Sequence, residues 1–141
     1  MSLRIRTFAE TDREDVIRLW NDCSLTRPWN DPNKDIDRKL NYQPELFFVA
    51  EVNDELVGTA MAGYDGHRGS VFYLAISPAY QGRSFGRLLM AHVEDALEEL
   101  GCPKLNVMVR SSNGTALGFY DRLSYTIDEV KCVAKRIIAD D

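Results

Sequence analysis

The sequence lacks a long hydrophobic run and an excess of positive charge, and each absence narrows the class of protein. No apolar stretch approaches the roughly 20 residues that a membrane-spanning helix needs. No signal-peptide pattern opens the chain, so we expect a cytoplasmic protein without a membrane partner. The formal net charge of −5 disfavours a nucleic-acid partner, because domains that bind nucleic acids usually carry a basic excess.

Cysteine is scarce as well. Cys23, Cys102 and Cys132 are odd in number and do not have the spacing of metal ligands. We therefore expect no metal, and we interpret the three side chains as small hydrophobic groups in a reducing compartment. A covalent acyl-cysteine relay would need an activating base nearby, and the sequence indicates none.

The length of 141 residues predicts a single domain, residues 1–141, with no internal repeat or linker. Alternating apolar residues predict strands, and apolar residues three or four apart predict helices. The predicted strands are residues 3–8, 46–52, 56–63, 71–76 and 104–109, with one or two more within 125–138. The predicted helices are residues 11–23, 35–42, 84–100 and 113–123. Thr11 and Glu14 have the spacing of a capping box for the first helix. This order predicts an α/β fold with helices on both faces of a sheet of six or seven strands, in which the fifth strand is parallel to the fourth.

The stretch 73–89 reads as a strand, a glycine-bearing loop and the start of an amphipathic helix. That arrangement turns backbone N–H groups into a binding site for an anion. Gly82 and Gly86 allow a ligand to approach the backbone, while Arg83 and Arg87 add positive charge. A Walker loop is a poor match, because the glycines are one residue too close and Arg87 stands where the lysine should be. An ordinary strand–turn–helix without a ligand is the alternative.

Residues 81–86, Q-G-R-S-F-G, resemble the [Q/R]-x-x-G-x-[G/A] pyrophosphate loop of the GNAT N-acetyltransferases. The preceding L-A-I-S-P is similar to the fourth strand of that family. About thirty residues later, Asn113, Ala116, Tyr120 and Tyr125 match the family pattern N-x-x-A-x-x-x-Y-x-x-x-G-[F/Y]. The resemblance covers nearly the whole chain and implies a GNAT fold that binds acetyl-CoA.

The resemblance also implies direct transfer of an acetyl group to a primary amine, without a metal or a covalent enzyme intermediate. The acceptor would be a small molecule, which the short chain favours slightly, or a protein N-terminus or lysine. Tyr120 would be the general acid that protonates the departing thiolate. Homodimers are common in such enzymes. The implied cofactor-binding residues are Leu74, Ala75, Ile76, Gln81, Gly82, Arg83, Ser84, Phe85, Gly86, Arg87, Asn113 and Ala116.

Two of these residues also fit a purely structural interpretation. Asn113 is as well suited to be the N-cap of the last helix as to contact a ligand. Tyr120 shares a helix face with Ala116 and Leu123, which is typical of a core aromatic residue.

The sequence departs from the family pattern at two glycines, which are Ser84 and Ser124 here. Ser84 would be tolerated, and could act as a helix N-cap, if its φ is negative. Ser124 falls at the C′ position of the last helix, where a left-handed conformation would strain a serine. The sequence also has no carboxylate on the fourth or fifth strand to act as general base. An alternative function is therefore a CoA-binding or regulatory module with weak or no catalysis.

The acceptor side is less defined. His67 could be the general base or could stabilise its turn. Residues 24–33 contain two prolines and are predicted to be irregular; this loop either lines the acceptor pocket or packs into the core through Trp29. Its charged and aromatic side chains would suit an amine that bears a carboxylate. The candidate pocket residues are Arg27, Trp29, Asn30, Tyr64, Tyr73 and Asn106.

Overall fold

The computed structural model describes residues 2–141, in which one mixed sheet of five strands is covered by helices on both faces. The strands are β1 (Arg4–Thr7), β2 (Phe47–Val52), β3 (Glu55–Tyr64), β4 (Gly69–Ile76) and β5 (Leu105–Asn106). The α-helices are α1 (Arg13–Asp22), α2 (Pro32–Lys39), α3 (Phe85–Glu99) and α4 (Gly114–Arg122). Short 3₁₀ helices cover Glu10–Asp12, Pro44–Leu46 and Pro78–Tyr80.

The strands lie in chain order, with β1 to β4 antiparallel and β5 parallel to β4. The α/β class and the parallel fifth strand are therefore confirmed. Alternate residues of β2 point to opposite faces of the sheet. Phe48 packs with α3 in one core cluster, and Phe47 and Val49 pack with α1 and α2 in the other.

A buried hydrogen-bond chain ties α1 to the sheet. The indole N–H of Trp20 donates to the Thr59 hydroxyl at 2.9 Å, and that hydroxyl donates to the backbone carbonyl of Tyr73 at 2.8 Å. Trp20 and Thr59 are both fully buried. Because an unpaired buried polar group costs about 1–3 kcal/mol, this chain fixes the position of α1 against the middle of β4.

The starts of α1 and α2 differ from the prediction. Thr11 does not cap α1; instead Asp12 accepts two hydrogen bonds from Arg6, at 2.8 and 2.9 Å, and one from the backbone N–H of Ala9. The Arg6 guanidinium holds the pKa of the Asp12 carboxyl below its usual range. Helix α2 begins at Pro32 rather than residue 35, because proline suits the first turn of a helix and the Asp31 carboxylate accepts from the N–H of Asn33.

The prediction of strands within 125–138 is wrong, and the described sheet has five strands rather than six or seven. Strand β5 is hydrogen-bonded to β4 only through Leu105 and Asn106, and it has no second partner among residues 2–141. Ile127, Val130 and Val133 are therefore exposed. Strand propensity measures how well a residue fits a paired surface, so alternation alone does not show whether a partner edge exists.

Ser124 has the left-handed conformation predicted for the C′ position of α4, with φ +71°. Its N–H donates to the Asp121 carbonyl and the N–H of Tyr125 donates to the Tyr120 carbonyl, both at 3.0 Å. These bonds satisfy carbonyls that the last turn of a helix leaves unpaired. The backbone geometry at the end of α4 thus requires a residue that tolerates positive φ.

We expect Ser124→Gly to stabilise the protein by about 0.5–1 kcal/mol, because relief of left-handed strain outweighs the added freedom of the unfolded chain. Thermal and denaturant unfolding measure the change. Ser77→Gly is the matched control, since Ser77 has φ −49° and should gain nothing from glycine. An equal or greater stabilisation by the control would contradict this account of Ser124.

Candidate active site

The sheet opens between β4 and β5. Gly69 pairs with Leu105 and Ser70 with Asn106, but β4 then continues to Ile76 without a strand beside it on that edge in the described chain. An unpaired strand edge presents N–H and C=O groups to any extended ligand. Leu74, Ala75 and Ile76 lie on this edge, so the structure places three predicted cofactor-binding residues in one cleft.

A β-bulge interrupts β4 beside the opening. The register changes from Met61 opposite Phe72 to Thr59 opposite Ala75, so Tyr73 and Leu74 together face Ala60. Tyr73 has φ +53°. A bulge redirects side chains and removes main-chain groups from the hydrogen-bond ladder. This position therefore has main-chain groups that can bind a ligand, and it redirects the side chain of Tyr73.

The glycine loop follows directly from the end of β4. The side-chain amide of Gln81 donates to the Ile76 carbonyl at 2.9 Å and so closes the turn. Gly82 has φ +80°, and the space where its Cβ would lie is open. The first intrahelical bond of α3 joins the N–H of Leu88 to the Ser84 carbonyl, so the N–H groups before it have no acceptor within the helix. These are the elements of an anion-binding helix N-terminus.

Ser84 occupies its position differently from the prediction. Its φ is +65° and its side chain makes no capping hydrogen bond. The condition of a negative φ is therefore not met, and Ser84 does not act as a side-chain N-cap. The turn into α3 requires the left-handed conformation that the glycine of the family pattern would adopt without strain.

Positive charge lies on both sides of this turn. The Arg83 guanidinium lies over the Tyr80 ring, 5.3 Å from its centroid. Arg87 is exposed and makes no ion pair with any residue from 2 to 141. An unpaired arginine beside a helix N-terminus adds to the dipole's attraction for an anion.

Gly86 and Asn113 show how α3 and α4 meet next to the loop. A Cβ on Gly86 would lie 3.1 Å from the Phe119 ring, so glycine allows the two helices to pack closely. The Asn113 side chain accepts from the N–H of Ala116 at 3.0 Å, which confirms its N-cap role. A contact of Asn113 with a ligand stays a prediction, and its side-chain N–H groups have no partner in the described part of the chain.

Tyr120 combines a buried ring with an available hydroxyl. The residue is only 9% exposed, and its ring packs edge-on against Phe119 and Tyr125. The hydroxyl has no hydrogen-bond partner among residues 2–141. Every fully buried side-chain oxygen in these residues does have a partner, so the Tyr120 oxygen is not fully buried and reaches solvent. Burial raises the pKa of Tyr120 to about 12. The phenol therefore keeps its proton at physiological pH, as a proton donor must.

Tyr73 faces α2 on the other side of the sheet. Its ring stacks on Trp20 with 3.7 Å between centroids, and its hydroxyl donates to an Asp35 carboxylate oxygen at 2.6 Å. Burial and then this carboxylate raise the pKa of Tyr73 above its usual value. Sequence reasoning did not include Asp35 among the site residues; the only signal was an acidic residue in the first turn of α2.

Residues 24–31, here called the wall loop, connect α1 to α2, and their Leu25 packs against the same core cluster as Tyr73. The Arg27 side chain donates to the backbone carbonyls of Ser24 and Thr26. Trp29 is 55% exposed, with the Arg110 guanidinium 6.0 Å from its ring centroid, so it does not pin the loop into the core. Asn30 hydrogen-bonds Arg136. That this loop lines the acceptor pocket stays a prediction.

His67 and Tyr64 lie at the other end of β4. His67 is in the turn before the strand, where its N–H donates to Asp65 at 2.8 Å, and the Tyr64 hydroxyl reaches the Gly101 carbonyl at 3.5 Å. Only the part of β4 from Gly69 to Tyr73 separates the turn of His67 from Tyr73, which is roughly 13 Å of strand. Asn106 lies at the mouth of the cleft, opposite Ser70. The structure thus does not bring His67 or Tyr64 together with Tyr73.

Three further findings concern other kinds of site. No helix in residues 2–141 is long and apolar enough to cross a membrane. Within the same residues, no three His, Cys, Asp or Glu side chains are grouped to hold a metal ion. Burial raises the pKa of the Cys23 thiol, which disfavours the thiolate that a nucleophile needs.

Comparison with known proteins identifies the class to which this fold and loop belong. The sequence model of the acetyltransferase (GNAT) family matches residues 13–125. A Yersinia pestis (strain Pestoides F) protein named acetyltransferase is 51% identical over 138 residues, which are 98% of this chain and 98% of that protein. The chain therefore belongs to the acetyltransferase (GNAT) family.

Solved structures agree on the fold. Ard1 from Thermoplasma volcanium superimposes with a TM-score of 0.79 at 24% identity, covering 91% of this chain and 85% of that one. The PaiA N-acetyltransferase from Thermoplasma acidophilum, solved in complex with coenzyme A, gives 0.72 at 17% identity and covers 93% and 94%. The GNAT fold predicted from the two motifs is confirmed.

Tyr120 should make the protein less stable in alkali. Its pKa is about 10 when unfolded and about 12 when folded. Its neutral form favours neither state below pH 10, and stability is lost as pH rises from 10 towards 12, by about 2–3 kcal/mol in all. Denaturant unfolding between pH 8 and 11 measures about the first half of this loss, which Tyr120→Phe should reduce. An unchanged pH slope in the variant would contradict the assignment.

Proposed function

We propose that this protein transfers an acetyl group from acetyl-CoA to a primary amine, and that the cleft between β4 and β5 is the place of transfer. The observation that carries the proposal is that strand pairing ends at Ser70 and Asn106, which leaves the edge of β4 open from there to Ile76, the last strand residue before the glycine loop. The acceptor is a small-molecule amine in preference to a protein N-terminus or lysine. The cytoplasmic location and the homodimer predicted from the sequence stay predictions.

The residues present fit acetyl-CoA. The open space at Gly82, the first-turn N–H groups of α3 and the free charge of Arg87 suit a pyrophosphate. The unpaired edge from Leu74 to Ile76 suits the amide groups of the pantetheine arm. The family pattern implies that the Asn113 side-chain N–H groups bind the same arm. When bound, acetyl-CoA supplies the activated thioester. The PaiA relative's complex with coenzyme A supports this assignment.

The chain's own groups then divide the chemistry. A main-chain N–H freed by the bulge at Tyr73 and Leu74 can donate to an oxygen that gains negative charge. The Tyr120 hydroxyl, protonated and without a partner, can give its proton to a leaving thiolate of ordinary pKa near 8.5. Its raised pKa makes it a weak acid, so its contribution requires a short, well-aligned hydrogen bond to the sulfur.

A second candidate is a CoA-binding module without catalysis. Strain at Ser84 and the lack of a carboxylate on the open part of β4 favour it. The two functions differ in what Tyr120 does, since only a catalyst needs its hydroxyl.

Tyr120→Phe should lower kcat by about 10²- to 10³-fold with little change in acetyl-CoA affinity, because only the proton donor is removed. Initial rates of CoA release against a panel of primary amines measure kcat, and calorimetry measures affinity. Wild-type turnover in the variant would refute Tyr120 as the acid. Binding of acetyl-CoA without acetylation of any amine by the wild type would favour the non-catalytic module.

His67→Ala is the matched control for Tyr120→Phe. His67 lies in the turn before β4, and roughly 13 Å of strand separates that turn from the bulge, so we expect unchanged turnover and an unchanged pH–rate profile. A loss of activity together with a lost acidic limb would instead make His67 the base.

A further inference from the structure

A buried carboxylate of the chain itself occupies a cationic pocket on α2. The Asp140 side chain is only 4% exposed. One of its oxygens accepts from Arg38 at 2.6 Å and pairs with Arg136 at 2.9 Å, and the other accepts from the backbone N–H of Asp31 at 2.7 Å. Lys34 donates to the Asp140 backbone carbonyl at 2.7 Å. These donors form a built site for a carboxylate.

This pocket adjoins the candidate acceptor site. Arg38 also pairs with Asp35 at 3.3 Å, and Asp35 accepts the hydroxyl of Tyr73 at the bulge of β4. Arg136, in turn, hydrogen-bonds Asn30 in the wall loop. The carboxylate pocket and the open edge of β4 are therefore connected through two side chains.

The segment that carries Asp140 is weakly attached elsewhere. Residues 126–140, here called the exposed segment, contain no helix or strand, and residues 126–139 are all exposed. Its apolar side chains, including Val133 at 92% and Ile137 at 89%, contribute little packing. Outside the pocket it is held by contacts such as the exposed ion pair between Asp128 and Lys104. Exposed ion pairs contribute little stability, so the contacts of Asp140 with α2 and of Arg136 with Asn30 provide the main attachment.

We propose that this pocket is the carboxylate subsite of the acceptor, that the acceptor is a small amino carboxylic acid, and that Asp140 fills the subsite when no acceptor is bound. The inference rests on the acetyl transfer proposed above and specifies its substrate class. The acceptor's carboxylate replaces that of Asp140 on Arg38 and the Asp31 N–H, and its amine lies towards Asp35 and Tyr73. No covalent step is involved in the exchange.

The charges around the pocket fit such an exchange. Arg38, Arg136 and Lys34 face it, and Asp31 and Asp35 face it from α2 and its cap. With the Asp140 carboxylate removed and Arg136 held in place by Asn30, these three cations exceed the two remaining carboxylates by one, which favours an anion in the pocket. The carboxylate of Asp35, beside the neutral Tyr73 hydroxyl, is the group to which an ammonium would be drawn.

Asp140→Ala tests the proposal, because it empties the pocket without altering α2. Asp141→Ala is the matched control, since Asp141 is exposed and makes no ion pair with the described residues. Calorimetry with succinate, without acetyl-CoA, should show binding to Asp140→Ala at least about tenfold tighter than to the wild type or the control. Adding Arg38→Gln to Asp140→Ala should abolish succinate binding. Equal succinate affinity in all variants would overturn the proposal.

Kinetics with a matched pair of amines provide the second measurement. For β-alanine, Asp140→Ala should lower KM about tenfold, because the Asp140 side chain no longer competes with the carboxylate of β-alanine for the pocket. For propylamine, which lacks the carboxylate, KM should not change. If both amines respond equally, the pocket is not a carboxylate subsite. If no amine is acetylated, the proposed function fails, whereas succinate binding still tests the pocket.

Discussion

The end of hydrogen bonding between β4 and β5 is the constraint on which the rest of this structure depends. Two paired residues hold β5 parallel to β4, and beyond Ser70 and Asn106 the edge of β4 is open. The bulge at Tyr73 lies on that open part, and the glycine loop begins where it ends. A fully paired strand would fill the cleft and leave no main-chain donors for a ligand. The helices on the two faces bring Tyr120 to one side and Asp35 to the other.

Much of this arrangement could be predicted from local sequence. Alternating and β-rich apolar runs predicted β1 to β4, helical spacing predicted four helices, and the two motifs indicated the family. Such features depend on residues close in the chain, where propensity and capping act directly. The left-handed Ser124 was predicted for the same reason, since a helix C-terminus imposes its own geometry on the next residue.

What could not be predicted depends on partners distant in the sequence. Residues 125–138 alternate like a strand, but the described sheet provides no edge for them. Arg6 reaches Asp12 across a turn, and the start of α1 has this ion pair where a capping box was expected. Asp140 meets Arg38 across a separation of 102 residues. His67 is suitable as a base by residue type and loop position, but the first half of β4 separates its turn from the bulge. The strain at Ser84 is local, because its left-handed conformation depends only on the turn into α3. The sequence indicated this strain only through the absence of the glycine of the family pattern.

Calorimetric titration with acetyl-CoA tests the central claim most directly, with the charge reversal Arg87→Glu at the start of α3. Its control is Arg122→Glu, at the last residue of α4, which is also exposed and without an ion pair in residues 2–141. The account predicts micromolar binding by the wild type and the control, and at least about tenfold weaker binding by Arg87→Glu. Wild-type binding that is absent, or equally strong in Arg87→Glu, would contradict the glycine loop as the site of the pyrophosphate.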